Sequence, residues 1–117
     1  MSVILSFCVA LFLSILVHIL VWVSINSQFI AGVTEKKALY IAVAISIPLS
    51  LIAFFSSKAS YEFFDNSAWG ARFFGFSTSY LVFPIMTWIL LSEPTFTTKN
   101  VVCFVLAILI VIAQIKL

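Results

Sequence analysis

Ser-Ser-Lys-Ala-Ser-Tyr-Glu-Phe-Phe-Asp-Asn-Ser-Ala-Trp-Gly, residues 56–70, decides how this chain folds. It mixes charges, hydroxyls and aromatic rings between two long apolar runs, the composition expected where a chain meets a membrane interface. Two readings compete. Either the whole stretch is an interfacial loop, or a helix continues to Phe64 and turns tightly at Asp65, Asn66 and Ser67. Helical continuation is preferred, because Lys58 and Glu62 have the i, i+4 spacing of an ion pair. Asp65, Asn66 and Ser67 are also all good N-cap residues for a following helix, and loops in bundles are short.

Toward the N-terminus, the run that ends here begins near Ala38 and stays apolar to Phe55. Pro48 inside it is read as a bend, since neighbouring helices satisfy the freed carbonyl. Asn26, Ser27 and Gln28, then residues 32–37, bring the chain to the surface. Before them, residues 3–24 form a first apolar run interrupted only by Ser6, Ser14 and His18. That run lacks a basic leader and a small-residue cleavage pattern, so it is expected to be a retained helix rather than a signal peptide.

Toward the C-terminus, a third helix covers 68–91, bent at Pro84 and anchored near its ends by Trp69 and Trp88. Residues 92–98 form a connection with a stop at Pro94 and Thr hydroxyls that can cap the next N-terminus. A last helix runs over 99–115, with Lys116 snorkelling to the interface. The expected fold is therefore all-α: a single domain over 1–117, with four transmembrane helices at about 3–24, 38–64, 68–91 and 99–115.

Composition agrees with that reading. Of 117 residues, 64% are hydrophobic and 9% charged, far from the balance of a soluble domain. Disorder is excluded by the same excess. Six Lys or Arg against four Asp or Glu leave a net charge of +2, with no basic run to suggest nucleic acid. The positive-inside rule gives no orientation, because Lys36, Lys37 and Lys99 fall on one side and Lys58, Arg72 and Lys116 on the other. Either oppositely inserted copies form an antiparallel pair, or a partner or weak signals set the orientation. Cys8 and Cys103 sit inside apolar runs without metal-ligand spacing and read as packing residues.

Little in the chain points to catalysis. There is no nucleophile with its base, no carboxylate pair and no metal cluster, so neither enzyme activity nor a cofactor is expected. His18 is the one histidine and lies deep in a span, where an ionisable residue is a functional candidate. With Ser14 and Trp22 it makes an i, i+4, i+8 stripe, read as substrate-lining, although a neutral histidine bonded to a carbonyl is an ordinary packing element. Lys58, Glu62 and Arg72 approach one leaflet and read either as charges at the mouth of a cavity or as an interfacial cluster of snorkelling side chains. Ala71, Gly75 and Ser79 form a small-xxx-small strip that admits a close helix partner. Glu93 is placed to sit beside the start of the last helix, where the macrodipole favours an anion.

Ser67-Ala68-Trp69-Gly70 opening the third helix, and residues 87–94 (Thr-Trp-Ile-Leu-Leu-Ser-Glu-Pro) leading through Thr97 into an all-apolar last helix, resemble the drug/metabolite transporter superfamily. The resemblance covers about residues 67–115, with Glu93 and Pro94 as its loop signature. The four-helix size is similar to the small multidrug resistance branch and its lipid-carrier relatives. Two departures stand out. The first helix carries no membrane-embedded Glu, so the resemblance does not imply proton-coupled export of a cation. The last helix has Ala107 and Ala113 in place of glycines.

What the resemblance implies is a small integral membrane carrier of the cell or inner membrane. It would work as a homodimer or in a larger complex and move a small amphipathic or lipid-linked solute. The competing reading is a non-catalytic accessory subunit or assembly factor of a larger membrane complex. Fold resemblance is only an analogy for function.

Overall fold

The computed structural model describes residues 2–94 and 96–116, and the side chains of all of these except 111 and 114–116. Lys116, expected to snorkel, therefore has its side chain outside the described residues, as does the whole of Thr95. Four α-helices follow one another: α1 (Val3–Asn26), α2 (Glu35–Phe63), α3 (Ala68–Leu91) and α4 (Thr98–Lys116), with a short 3-10 turn at Ser27–Phe29. Among the described residues there is no strand. α1, α2 and α3 are each long and apolar enough to cross a membrane.

Local chemistry explains the boundaries. Ser2 Oγ accepts from the Leu5 N–H at 3.1 Å and opens α1. Thr34 Oγ1 accepts from the Lys37 N–H at 3.2 Å, so α2 starts at Glu35. The apolar pattern alone suggests a start near Ala38; a cap recruits the charged residues before it into the first turn. α2 and α3 run through Pro48 and Pro84 as single helices.

α2 continues past Lys58 and Glu62 and ends in a Schellman motif. The Asn66 N–H donates to the Tyr61 carbonyl at 2.8 Å, while Asp65 and Asn66 take positive φ values of 54° and 61°, a region that Asp and Asn tolerate better than most residues. Ser67 then caps α3, accepting from the Gly70 N–H at 3.0 Å. The turn presses so closely on α3 that a Cβ on Gly70 would lie 2.8 Å from Phe64 Cβ. α3 ends at Ser92, whose φ of 55° breaks the helix; Thr97 Oγ1 accepts from the Asn100 N–H at 3.2 Å near the start of α4.

The helices alternate in direction. Phe7 meets Phe74, with ring centroids 6.1 Å apart, and Trp22 meets Thr87, so α1 and α3 run parallel with α2 antiparallel between them in sequence. α1 packs most extensively on α2 and next on α3, whereas α4 leans chiefly on α3, where Tyr80 and Phe104 make an edge contact at 5.8 Å. The α2–α3 contact is comparatively sparse.

Burial is inverted relative to a globule in water. Hydroxyl-bearing residues such as Ser14, Ser60, Thr78 and Thr87 are buried, whereas Ile4 is 77% exposed and Ile47 71%. Small and polar residues at helix contacts with bulky apolar residues outside is the arrangement favoured when the surroundings are hydrocarbon.

Candidate functional site

Because α2 and α3 touch sparsely beyond their turn, a cleft of about 880 Å³ opens between them, with α1 as its third wall. α1 contributes Ser14, Val17 and His18; the C-terminal half of α2 contributes a hydroxyl-rich wall including Ser56, Ser60 and Tyr61; the N-terminal half of α3 contributes Arg72, Gly75 and Phe76.

Helical rise gives the cleft its depth. At about 1.5 Å per residue, Arg72 lies roughly 6 Å into α3 and Lys58 roughly 8 Å back from the end of α2, while Ser14 sits roughly 16 Å along α1, near its middle. Lys58 and Arg72, with Ser56 and Ser60 beside Lys58, therefore mark the end near the turn, and Ser14 with His18 lies deeper.

His18 Nδ1 donates to the Ser14 carbonyl at 2.7 Å. In the neutral ring this bond leaves Nε2 as an acceptor, and nothing in the described chain occupies it. Arg72 holds its guanidinium 5.2 Å from the Phe76 ring centroid. Arg72 and Lys58 make no ion pair with any described residue, and no Asp or Glu lines the cleft. The hydroxyls of Ser14, Ser56 and Ser60 also lack a partner within the described chain.

The residues singled out from sequence divide. Ser14, His18, Lys58 and Arg72 come together in the cleft. Trp22 does not join them: it is 2% exposed, and its Nε1 donates to Thr87 Oγ1 at 3.0 Å, locking α1 to α3. The physical reason is that each i+4 step overshoots a helical turn by about 40°, so Trp22 is rotated roughly 80° from Ser14 and reaches the α3 side.

Glu62 is exposed, lies outside the cleft wall and does not pair with Lys58; an exposed i, i+4 pair gains too little to hold two long side chains together. Ala71, Gly75 and Ser79 all line the cleft, and a Cβ on Gly75 would meet nothing within 4 Å. Within this chain the strip at Gly75 borders open space instead of a crossing helix. Glu93 is exposed without an ion-pair partner among the described residues, and the Pro94 carbonyl accepts from Asn100 Nδ2 at 3.3 Å.

Sequence reasoning misses the serine wall of α2. Its signal is the recurrence of Ser50, Phe54, Ser57 and Tyr61, flanked by Ser56 and Ser60, on one helical face. Cys8 and Cys103 lie on the outer surface. Among the described residues no cluster of His, Cys, Asp or Glu is placed to hold a metal ion.

No protein-family model, no curated protein and no solved structure matches this chain.

Proposed function

We propose that this chain is an integral membrane carrier that crosses the bilayer four times and moves a small amphipathic solute through the cleft between α1, α2 and α3. The observation that carries this reading is the cleft itself: about 880 Å³ in volume and lined by Ser14, His18, Lys58 and Arg72, it reaches from one end of the bundle to the middle of its helices. A wall combining hydroxyls, a histidine and two cations with Phe54, Phe76 and Val17 suits a ligand having a polar head and an apolar body.

The membrane part of the proposal has support in lengths. Trp69 and Trp88 are both well exposed at opposite ends of α3, about 28 Å apart along its axis at helical rise, close to the roughly 30 Å of a hydrocarbon core flanked by aromatic belts. α4, at 19 residues, spans a similar length and supplies the fourth crossing. Carriage rather than catalysis is favoured because the sequence carries no nucleophile-base pair or carboxylate pair. The resemblance of residues 67–115 to drug/metabolite transporters points the same way.

The test is flux. The purified chain is reconstituted into vesicles carrying fluorescent head-labelled amphiphiles of anionic, zwitterionic and cationic type, and a membrane-impermeant quencher is added. The expected result is accelerated loss of inner-leaflet fluorescence for at least one class, abolished by Gly75→Leu, which fills the cleft. Rates equal to protein-free vesicles for every class, with extraction of the chain in a stoichiometric complex of other proteins, would overturn it in favour of an accessory subunit.

A further inference from the structure

We infer that the cleft is selective for an anionic amphiphile, its phosphate head held between Lys58 and Arg72 and its apolar chain laid along Phe54 and Phe76. The inference rests on the cleft being a ligand site and adds the chemical class of the ligand.

Charge comes first. Lys58 and Arg72 stand on different helices that wall one cavity, both a turn or more inside the helix ends. No ion pair with a described residue reaches either, and no Asp or Glu lines the cleft. Glu62 and Asp65, the acids at this end of α2, lie outside the lining. Both side chains are exposed at the mouth of the cleft, and cations without a counter-charge at a membrane interface draw an anion.

Hydrogen bonding gives a second, independent indication. Ser14 and Ser60 are each 3% exposed and Ser56 8%, yet their hydroxyls have no partner in the described chain although all three line the cavity. Their oxygens are open to the cavity, since among the described residues only Ser27 Oγ is both fully buried and unbonded; helical serines have the carbonyl one turn back within reach, a bond that Ser50 makes with the Ser46 carbonyl at 2.8 Å. Hydroxyls left over beside two cations are donors for phosphate oxygens. Arg72 also lies 5.2 Å from the Phe76 ring centroid, and a guanidinium fork can bind a phosphate bidentately.

An apolar body is indicated by the rest of the wall. Phe54, Phe76, Val17 and Ala53 line the same cavity, and the space over Gly75 is clear. A phosphate ion alone would leave this surface unused, which favours a lipid-borne phosphate over a soluble one.

The experiment is native mass spectrometry of the full chain released from phosphatidylcholine nanodiscs containing a minor fraction of phosphatidic acid. Phosphatidic acid is expected to be retained in preference to phosphatidylcholine. The Lys58→Gln/Arg72→Gln double variant should lose that preference by on the order of tenfold or more, whereas Lys58→Arg keeps it. Circular dichroism and monodisperse elution establish that each variant is folded. Excess inorganic phosphate should not displace the lipid. Equal retention of the two lipids, unchanged retention in the folded double variant, or displacement by inorganic phosphate at equal concentration would each overturn the inference. Selective retention without flux would sink the carrier reading and leave this site standing.

Discussion

The bundle treats its polar groups in two opposite ways, and the difference separates architecture from function. Where α1 crosses α3 near Trp22, the polar group is consumed internally: the indole N–H is bonded to Thr87 Oγ1 at 3.0 Å and the surroundings are closed. Closer to the α2–α3 turn, the same helices with α2 leave Ser14, His18, Lys58 and Arg72 facing a cavity with hydroxyls and cations unpaired. The first region uses its polarity to hold helices together. The second keeps polarity available for a ligand.

The sharpest way to break this contrast is to attack the closed contact. Trp22→Ala is expected to destabilise the bundle by about 3 kcal/mol or more, the range for removing a buried large aromatic. Thermal unfolding in detergent would read it, and a loss below about 1 kcal/mol would mean that the contact does not organise the fold. Thr87→Val, which removes only the acceptor, should cost about 1 kcal/mol, and combined with Trp22→Phe it should show non-additivity.

Two glycines on α3 sharpen the comparison, because one substitution should have opposite signs at the two sites. Gly70→Ala drives a Cβ to 2.8 Å from Phe64 Cβ and is expected to lower stability by about 1–3 kcal/mol through overpacking. At Gly75 the added methyl meets nothing within 4 Å, so Gly75→Ala should raise stability by about 0.5–1 kcal/mol through helix propensity alone. Destabilisation at Gly75 would show that the cleft is filled in the folded protein.

The smallest expected effect is in the cleft wall. Ser60→Ala removes a hydroxyl without a partner in the described chain, so stability should stay within about 0.5 kcal/mol of the parent. Ligand retention should fall measurably. A stability loss comparable to that of Thr87→Val would erase the distinction between the two regions.

Legibility in the sequence varies with the kind of signal. The α2–α3 turn is readable, because Asp65, Asn66 and Ser67 carry both the tolerance for positive φ and the cap that the turn needs. The start of α2 is misplaced by one turn, since a hydropathy pattern assigns charged residues to loops even when Thr34 caps them into a helix. Ser14, His18, Lys58 and Arg72 stand out as polar groups in apolar surroundings, which is conspicuous by composition. The serine face of α2 does not: a serine bonded to its own backbone and one facing a cavity look the same in sequence.

By itself, then, the sequence predicted an all-helical chain of four rods, all four read as spans; the four helices are present and three of them are long and apolar enough to cross a bilayer, because segment length, apolar content and capping chemistry are local properties. The tertiary structure alone decided that Trp22 closes a contact while His18 faces a cleft, that Lys58 leaves Glu62 unpaired, and that the Ala71, Gly75 and Ser79 strip borders space. Those outcomes depend on the rotation of each helix about its axis and on how far α2 and α3 separate beyond their turn. Both are set by packing among residues remote in the chain, which no local pattern encodes.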